Sequence, residues 1–361
     1  MASLTETAKI TRKLIRYGAI AFVAISVLWI LGGVAIHYYQ ILFPTAPPPP
    51  TMDFGPLPPV SFPKESGRPK LILELPTGVI PEFPDRMNVY YAPTKRSGFL
   101  DAQTGIDTAR ALGFTFNPDI PSETSYVWTN QDQLASRLKM DIVSGHFSLI
   151  RQWQNNPALL SLTNFTSDQQ VISDVNNYLR KANLLPNDVD KVQKVTYLSA
   201  VSGKLIPTIS LSEADFVQVD FFRSNLITTD KDTKKVVSSY PFYRLDPDFG
   251  LIRAIESGSR DTLDKIVTLE FNYTTVEYGK TGIYPIKTGD IAWQEFSNGG
   301  GFVTDKSPKT GSIAVRRVLL GYFDSPSQNY AMPIFVFLGD KGFVGYVSAV
   351  TDAVLKKTVS Q

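Results

Sequence analysis

The hydrophobic pattern of the chain is dominated by one continuous apolar run near the N-terminus. The run begins after Arg16 and contains no charged residue until Asp53, and its densest part extends from Tyr17 to Ile36. A helix of about 20 residues covers roughly 30 Å of hydrocarbon, which is the thickness of a bilayer core. The pattern therefore predicts a transmembrane anchor over residues 17–43, preceded by a tail over residues 1–16.

A cleaved secretory signal is the alternative interpretation of this run, because it also combines a basic start with an apolar middle. Its apolar region usually has about 7–15 residues and is followed by a small-residue cleavage site. In this chain the run is longer, and the best small pair, Gly33 and Ala35, is followed by Ile36 and His37. These features favour an anchor that stays attached.

After residue 63, segments in which apolar and polar residues alternate predict strands, and a few segments with helical spacing interrupt them. The clearest amphipathic helix lies within residues 166–186, where Val171, Val175 and Leu179 share one face. Two more helices are predicted within residues 100–114 and 287–302. The predicted strands lie within residues 87–93, 124–130, 136–150, 194–201, 214–222, 265–276, 312–323, 331–339 and 343–350.

These elements predict an α+β fold: a single N-terminal transmembrane helix, then a mostly antiparallel β-rich extracytoplasmic region with a few packed helices. We divide this region into a first α+β module, residues 64–186, and a second β-rich α+β module, residues 187–361. The order helix, strand, strand occurs around residues 100–150 and again around residues 287–350. It fits either repeated helix-plus-hairpin modules or an ordinary α+β arrangement.

The segment between the anchor and the first module, residues 44–63, is rich in proline. It contains nine prolines, four of them consecutive from Pro47 to Pro50. Because proline fixes φ and favours an extended conformation of about 3.1 Å per residue, the segment predicts a semi-rigid stalk of at most ~60 Å.

Charge decides the orientation of the anchor. Lys9, Arg12, Lys13 and Arg16 precede the apolar run, against the single acidic residue Glu6. Basic flanks stay in the cytoplasm, so everything after the helix is expected outside. The predicted location is the cytoplasmic membrane, with one span, a cytoplasmic N-terminus and an exterior C-terminal domain.

Composition limits the chemistry of the exterior. The chain contains no cysteine, so a disulfide framework, a thiol nucleophile and a thiolate metal site are excluded. Of its 34 acidic and 36 basic residues, 33 and 32 follow Arg16. Such a nearly neutral exterior argues against nucleic acid as a partner.

The arrangement of a short basic tail, one helix, a stalk and helix-plus-hairpin units resembles the YycH and YycI type of membrane-anchored regulators, with their PepSY-like modules. The resemblance rests on "ARALGF", "YVWTN" and "LKMDIVSGHFSLI", and near the end on "VLLGYFDSPSQNYAMPIFVFLGDKGFVGYVSAV". It covers about a third of the chain and involves no diagnostic motif. It implies a non-catalytic exterior that acts through contacts with other membrane proteins, and it transfers no site residue.

Catalytic motifs are weak. The histidines are His37 and His146, and His146 has no Gly-x-Ser-x-Gly motif to join it in a Ser-His-Asp triad. Lys-Thr-Gly, a motif of penicillin-binding proteins, begins at residues 280, 287 and 309, and Ser136 with Lys139 gives a Ser-x-x-Lys pair. Because residues 136–143 have a strand pattern, that serine and lysine are expected on opposite faces.

Acidic and glycine-rich segments also favour turns over sites. "TTDKDTKK" and "LDPDFG" lack the glycine and the terminal glutamate of a calcium loop, and "SNGGGF" lacks the lysine of a phosphate loop. A carboxylate pair that cleaves glycosidic bonds leaves no mark in sequence, so that chemistry stays open. We assign no catalytic, cofactor-binding or metal-binding residue and expect no cofactor.

Two functions of different classes remain. The favoured one is a non-catalytic interaction, scaffold or regulatory protein of the cell envelope, integral to the membrane, whose partner is another membrane or envelope protein. Its contact is expected at exposed sheet edges between Ser312 and Val350, where unpaired backbone groups can accept a partner strand. The alternative is an envelope hydrolase or transferase acting on peptidoglycan or polysaccharide. The oligomeric state is left unassigned.

Overall fold

A computed structural model of the protein describes residues 4–42, 49–65, 67–131, 134–162, 164–189, 192–229 and 235–356. The chain divides into two units, one up to Pro49 and one from Pro50 onward. The helices are α1 (Leu4–Leu42), α2 (Asp101–Ala111), α3 (Asp168–Lys181), α4 (Thr262–Lys265) and α5 (Gly289–Ser297). The strands are β1 (Lys70–Leu73), β2 (Arg86–Tyr91), β3 (Ser125–Asn130), β4 (Ser136–Asp141), β5 (Phe147–Arg151), β6 (Val192–Val201), β7 (Lys204–Thr208), β8 (Phe216–Phe222), β9 (Leu226–Thr229), β10 (Val236–Tyr240), β11 (Phe242–Tyr243), β12 (Ile252–Ser257), β13 (Ile266–Phe271), β14 (Glu277–Pro285), β15 (Phe302–Val303), β16 (Ser312–Phe323), β17 (Tyr330–Gly339) and β18 (Val344–Ser348).

The first unit contains one long helix, α1, as the apolar run predicts. Its segment Leu14–Ile36 is long and apolar enough to cross a membrane, and none of this 23-residue segment is buried within the protein. Aqueous solvent would leave this whole apolar surface hydrated, which is unfavourable.

The second unit contains an eight-stranded antiparallel sheet, the first sheet, with the order β3-β4-β5-β13-β12-β8-β6-β7. Helices α2 and α3 cover one face of it, and their apolar sides pack on the sheet in the core. Helix α3 begins after Ser167, whose side chain accepts a hydrogen bond from the N–H of Gln170. Its residues Val171, Val175 and Leu179 are buried, as their spacing predicts.

The opposite face of the first sheet is covered only at one end. There Trp153 packs against Phe216, with ring centroids 5.0 Å apart, in a small apolar cluster. Lys139 and Ile150 are exposed on the rest of this face, and Thr268 is half-buried.

The second sheet also has eight strands. Its main path is β1-β16-β17-β18-β15, β11 pairs with β16, and β2 pairs with both β14 and β17. Strands β1 and β11 run parallel to β16, and the other pairs are antiparallel. Helix α5 packs on this sheet through Phe296, whose ring stacks on Phe337 with centroids 4.4 Å apart. The predicted α+β class is confirmed.

The sheets do not follow the predicted module boundary. Strands on both sides of residue 186 form the first sheet, while the second sheet combines residues 70–91 with residues 242–348. The division into residues 64–186 and 187–361 is therefore not a division between sheets. Each helix, α2 or α5, is still followed by an antiparallel three-stranded meander, β3-β4-β5 or β16-β17-β18.

The predicted stalk is wrong for the stretch that follows Pro50. Leu57 is completely buried and bridges to Leu355. Phe62 packs against Phe302 and Phe323, with ring centroids 5.9 and 5.1 Å away. Apolar side chains between the prolines pack on the second sheet, and a proline count does not detect that burial. Residues 43–48 lie outside the described residues.

The predicted exposed edges among the C-terminal strands are covered in part. Strand β17 lies between β16 and β18, and seven consecutive residues from Ala331 to Phe337 are buried. Strand β16 pairs with β17 on one side and, at its two ends, with β1 and β11 on the other. Distant segments thus cover both ends of this edge, while residues 316–321 have no strand partner on that side among the described residues.

Candidate functional site

The two sheets are joined by a buried arginine, Arg223, which directly follows β8. Its Nε donates a hydrogen bond to Asp324 at 2.8 Å. Its Nη1 donates to Asp188, and its Nη2 donates to the carbonyl oxygen of Thr274 at 2.6 Å. Asp188 follows α3 beside the first sheet, whereas Asp324 follows β16 of the second sheet. The guanidinium therefore connects both layers.

Electrostatics keep this junction charged. Burial by itself would lower the pKa of Arg223, but the carboxylates of Asp324 and Asp188 raise it by more, so the net shift is upward. The guanidinium also lies over the rings of Phe242 and Tyr273, 5.4 and 5.1 Å from their centroids. This desolvated guanidinium is held in place because each of its three nitrogens donates a hydrogen bond to a partner.

A cleft with a volume of 400 Å³ opens beside this junction, and we call it the interlayer cleft. Its walls come from the segment after β2, the turn between β4 and β5, the segment after β13 and the loop between β16 and β17. Thr274 belongs to one wall and also donates to Asp324 at 3.3 Å. The arginine junction thus fixes the cleft between the sheets. Its polar lining includes Lys95, Thr124, Ser144, His146 and Gln328.

The turn between β4 and β5 contributes polar groups that are already paired. Asp141 accepts hydrogen bonds from the backbone N–H of Ser144 at 2.7 Å and from its hydroxyl at 2.9 Å. Burial would raise the pKa of Asp141, but the bonds from Ser144, Thr124 and Val143 lower it, and the net shift is downward. This carboxylate is ionised, and its hydrogen-bond partners are Ser144 and Val143 of its own turn together with Thr124.

His146 is held in one tautomer. Its Nε2 lies 3.1 Å from the carbonyl oxygen of Tyr273, and because a carbonyl only accepts, Nε2 carries the proton. Burial lowers the pKa of His146, so the ring is neutral at neutral pH. The hydroxyl of Ser144 donates to Asp141 and not to the imidazole, whereas a triad needs the imidazole between them. These three residues form a turn and not a Ser-His-Asp triad.

An ion pair lies at the mouth of the cleft. Lys95 Nζ lies 2.8 Å from Asp101, the first residue of α2. The same carboxylate accepts a hydrogen bond from the N–H of Gly98 at 2.7 Å. Asp101 therefore closes the loop that precedes the helix. Leu100, and not the aspartate, occupies the N-cap position.

Gln328 is the exception among the paired groups of the cleft. Its side chain is 8% exposed, yet neither its Nε2 nor its Oε1 has a hydrogen-bond partner among the described residues. The neighbouring Asn329 accepts a hydrogen bond from the backbone N–H of Thr94 at 3.2 Å. A buried polar group that makes no hydrogen bond lowers the stability of the fold by about 1–3 kcal/mol, so the burial of both Gln328 amide atoms calls for an explanation.

A second cleft, with a volume of 370 Å³, lies at the end of β12 and contains a perturbed carboxyl group. Glu256 is 2% exposed, and its Oε1 lies 3.6 Å from the Nζ of Lys265. That ammonium is 2.7 Å from Asp174 on α3. Burial raises the pKa of Glu256 to about 8, although Lys265 opposes the shift. Its Oε2 has no hydrogen-bond partner among the described residues.

The motifs that resemble those of penicillin-binding proteins lie in different secondary-structure elements. Residues 136–141 form strand β4, in which Ser136 is buried and Lys139 is exposed, so the predicted strand is confirmed. The first Lys-Thr-Gly lies within β14, and the second runs into the start of α5. In the third, Lys309 donates to the carbonyl oxygens of Val303 and Thr304 at 3.1 and 3.0 Å. Each lysine has a local structural role.

The acidic and glycine-rich segments are turns where they are described. In "LDPDFG", Asp246 and Asp248 both contact Lys306, at 3.0 and 3.5 Å. Gly301 has φ +74° and approaches the carbonyl oxygen of Tyr346, which a Cβ would meet at 2.0 Å. Most of "TTDKDTKK" lies outside the described residues. Within the described ranges, no group of three or more histidine, aspartate or glutamate side chains could hold a metal ion.

No protein-family model matches the chain, and no curated protein matches it either. Among solved structures, it is similar to the C-terminal domain of Bacillus megaterium YpeB. The TM-score is 0.28 and the sequence identity 9%, and the match covers 73% of this chain and 96% of that one. An overlap this low carries no argument about fold or function.

Sequence reasoning missed the residues that define both clefts. Gln328 stands in "DSPSQN", a segment that shows only turn-forming composition. Glu256 stands in "RAIESGS", where its place in a strand pattern gives no sign that its side chain is buried. Arg223, Asp188 and Asp324 are far apart in the chain, so no local pattern could have joined them.

Proposed function

We propose that this protein is a single-pass membrane-anchored interaction, scaffold or regulatory protein of the cell envelope, with a non-catalytic exterior domain. The observation that carries the proposal is the helix segment Leu14–Ile36, no part of which is buried in the protein. Fully burying one large apolar side chain is worth about 1.5–3 kcal/mol, so a helix with many of them needs a membrane or a partner. The four basic residues before it support a cytoplasmic N-terminus.

The orientation has a direct test. A reporter enzyme that is active only outside the cytoplasm should work when fused after Gln361. The same fusion to a variant in which Lys9, Arg12, Lys13 and Arg16 are replaced by glutamate should lose part of that activity, because the basic flank sets the orientation. Activity of a cytoplasm-only reporter at Gln361 in the unaltered chain would contradict the proposed location.

A permanent anchor favours a function that depends on a neighbour in the same membrane. Tethering confines a module to a thin layer and raises its effective concentration toward that neighbour, so a weak interface can still be occupied. The interlayer cleft supports this interpretation, because Arg223 holds Thr274 in its wall and the amide of Gln328 lacks a hydrogen-bond partner among the described residues. We propose that the cleft, and not the C-terminal strand edges, contacts another membrane or envelope protein.

Release of the exterior domain tests the need for the anchor. Deleting residues 1–43 and exporting the remainder with a cleavable signal should abolish function at native expression and restore it partly on overexpression. The matched control replaces residues 14–36 by an unrelated transmembrane helix of the same length and should keep function. Full function of the released form at native level would remove the reason for the anchor.

A specific observation supports the alternative, an envelope hydrolase acting on peptidoglycan or polysaccharide. Glu256 and Asp174 both contact Lys265, and glycosidases hold two carboxyl groups about 5–9.5 Å apart. A carboxyl group with a pKa of about 8 is protonated at neutral pH and could act as a general acid. If the purified chain releases soluble fragments from peptidoglycan, and Glu256→Gln abolishes the release while Glu123→Gln does not, the enzyme function replaces the interaction function.

A further inference from the structure

The interlayer cleft contains one group whose chemistry identifies a ligand class. Most of its polar side chains have partners: Lys95 pairs with Asp101, Ser144 bonds to Asp141, and His146 bonds to the carbonyl oxygen of Tyr273. Only Gln328 places a donor and an acceptor side by side with neither satisfied among the described residues. A ligand that matches it must offer an acceptor and a donor next to each other.

We propose that the interlayer cleft binds an extended peptide segment of the partner protein, and that Gln328 pairs with the backbone N–H and C=O of one residue of that segment. In an extended strand, both groups of one residue point to the same side, which is why opposed residues in antiparallel sheets exchange two hydrogen bonds. A carboxamide reproduces this donor and acceptor pair. The inference rests on the proposed function and specifies its ligand.

The surroundings of Gln328 favour a neutral ligand of this shape. The charged groups of the cleft, Lys95 and Asp141, already have partners, so no unpaired charge calls for an ionic ligand. The acetamido group of an N-acetylated sugar is a trans amide whose N–H and C=O point in opposite directions, so it cannot satisfy both atoms of one carboxamide. Main-chain recognition by an extended segment fits the donor and acceptor better.

Both amide atoms of Gln328 are shielded from solvent, so binding requires the side chain to turn toward the cleft. That rotation breaks no hydrogen bond of the amide to the described residues, because Nε2 and Oε1 have none. An unsatisfied amide is thus ready to exchange a buried position for two bonds to a ligand.

The test uses the full chain in lipid nanodiscs and a phage-displayed library of random twelve-residue peptides. Peptides selected on the native chain are synthesised with blocked ends, and their affinities are measured on the native chain and on Gln328→Leu. We expect at least tenfold weaker binding to Gln328→Leu and no change with Gln131→Leu, an exposed glutamine outside the cleft. N-methylation of the peptide residue that pairs with Gln328 removes the N–H that donates to Oε1, so it should weaken binding to the native chain by a larger factor than binding to Gln328→Leu.

Folding is monitored by the melting temperature of each variant. Leucine removes two unsatisfied groups, so the melting temperature of Gln328→Leu should be equal to or higher than that of the native chain. If it falls, the comparison moves to Gln328→Glu, which keeps the size and loses the N–H donor. Binding of selected peptides that does not depend on either variant overturns the inference, and so does a Gln328-dependent affinity for a tetramer of N-acetylglucosamine without one for peptides. The release experiment in cells decides the proposed function separately.

Discussion

Replacing Glu256 by glutamine removes one buried ionisable group while nearly keeping its shape. Glu256 is 2% exposed, its Oε2 has no hydrogen-bond partner among the described residues, and its pKa is raised to about 8 from an ordinary value of 4.5. The chief cause is burial, which disfavours the carboxylate, and Asp174 adds to it while Lys265 acts in the opposite direction. The folded chain therefore keeps a proton that the unfolded chain has already lost.

The sign follows from this difference in bound protons. Between about pH 4.5 and pH 8 the folded state holds one more proton than the unfolded state, so the free energy of unfolding falls as the pH rises. One pKa unit corresponds to about 1.4 kcal/mol, and the full shift would remove roughly 3–5 kcal/mol of stability across this window. The stabilising contribution is complete below the unfolded pKa and is lost once the pH passes the folded pKa.

Urea unfolding of the full chain in detergent, followed by tryptophan fluorescence from pH 5 to pH 9, measures the effect. The free energy of unfolding of Glu256→Gln, minus that of the native chain, should rise by about 1.4 kcal/mol per pH unit up to about pH 8 and then level off. Glu123→Gln, at an exposed position, should give a constant difference. Parallel curves for Glu256→Gln and the native chain would refute the reasoning, because they would mean that Glu256 titrates alike in both states.

Three further outcomes are expected. Arg223→Leu should lower the free energy of unfolding by about 3–5 kcal/mol in urea titrations, because it leaves Asp324 buried without its partner; a loss below 1 kcal/mol would show that the junction is not essential. Gly258→Ala should destabilise the fold by more than about 2 kcal/mol, since the added Cβ would lie 1.5 Å from the backbone carbonyl oxygen of Leu162. At Gly279 an added Cβ has no heavy atom within 4 Å, so the control Gly279→Ala should unfold like the native chain. Ser136→Ala should leave function intact, and labelled penicillin should not attach to the native chain; labelling that this substitution abolishes would establish acyl-serine chemistry.

Local patterns along the chain determined the individual elements. The apolar run predicted the helix that contains Leu14–Ile36, because a spanning helix needs only length and hydrophobicity within one continuous segment. The helical spacing of Val171, Val175 and Leu179 predicted α3, and alternation predicted a strand at β4 with Ser136 and Lys139 on opposite faces. Composition determined that no thiol chemistry operates. Each of these conclusions depends on neighbours in sequence, and for that reason they could be drawn early.

Only the tertiary structure decided how the elements combine. Strand β1 pairs with β16, which joins Lys70 to Ser312, and no local signal predicts which distant strands will meet. The proline-rich segment packs because Leu57 finds a buried position against the second sheet, a consequence of shape and not of proline content. Such pairings also covered both ends of the β16 edge, part of the region at which the sequence had suggested a partner.

The two clefts depend on the tertiary structure most of all. A glutamine or a glutamate in a polar sequence context is usually exposed, and its side chain then bonds to water. Gln328 and Glu256 are buried because segments far away in the chain close over them. That burial leaves the Gln328 amide without hydrogen-bond partners among the described residues and raises the pKa of Glu256. The sequence by itself determined that the chain carries a helix long and apolar enough to span a membrane, followed by an α+β fold. Desolvation by distant residues, which exists only in the folded chain, determined which of these polar side chains are buried.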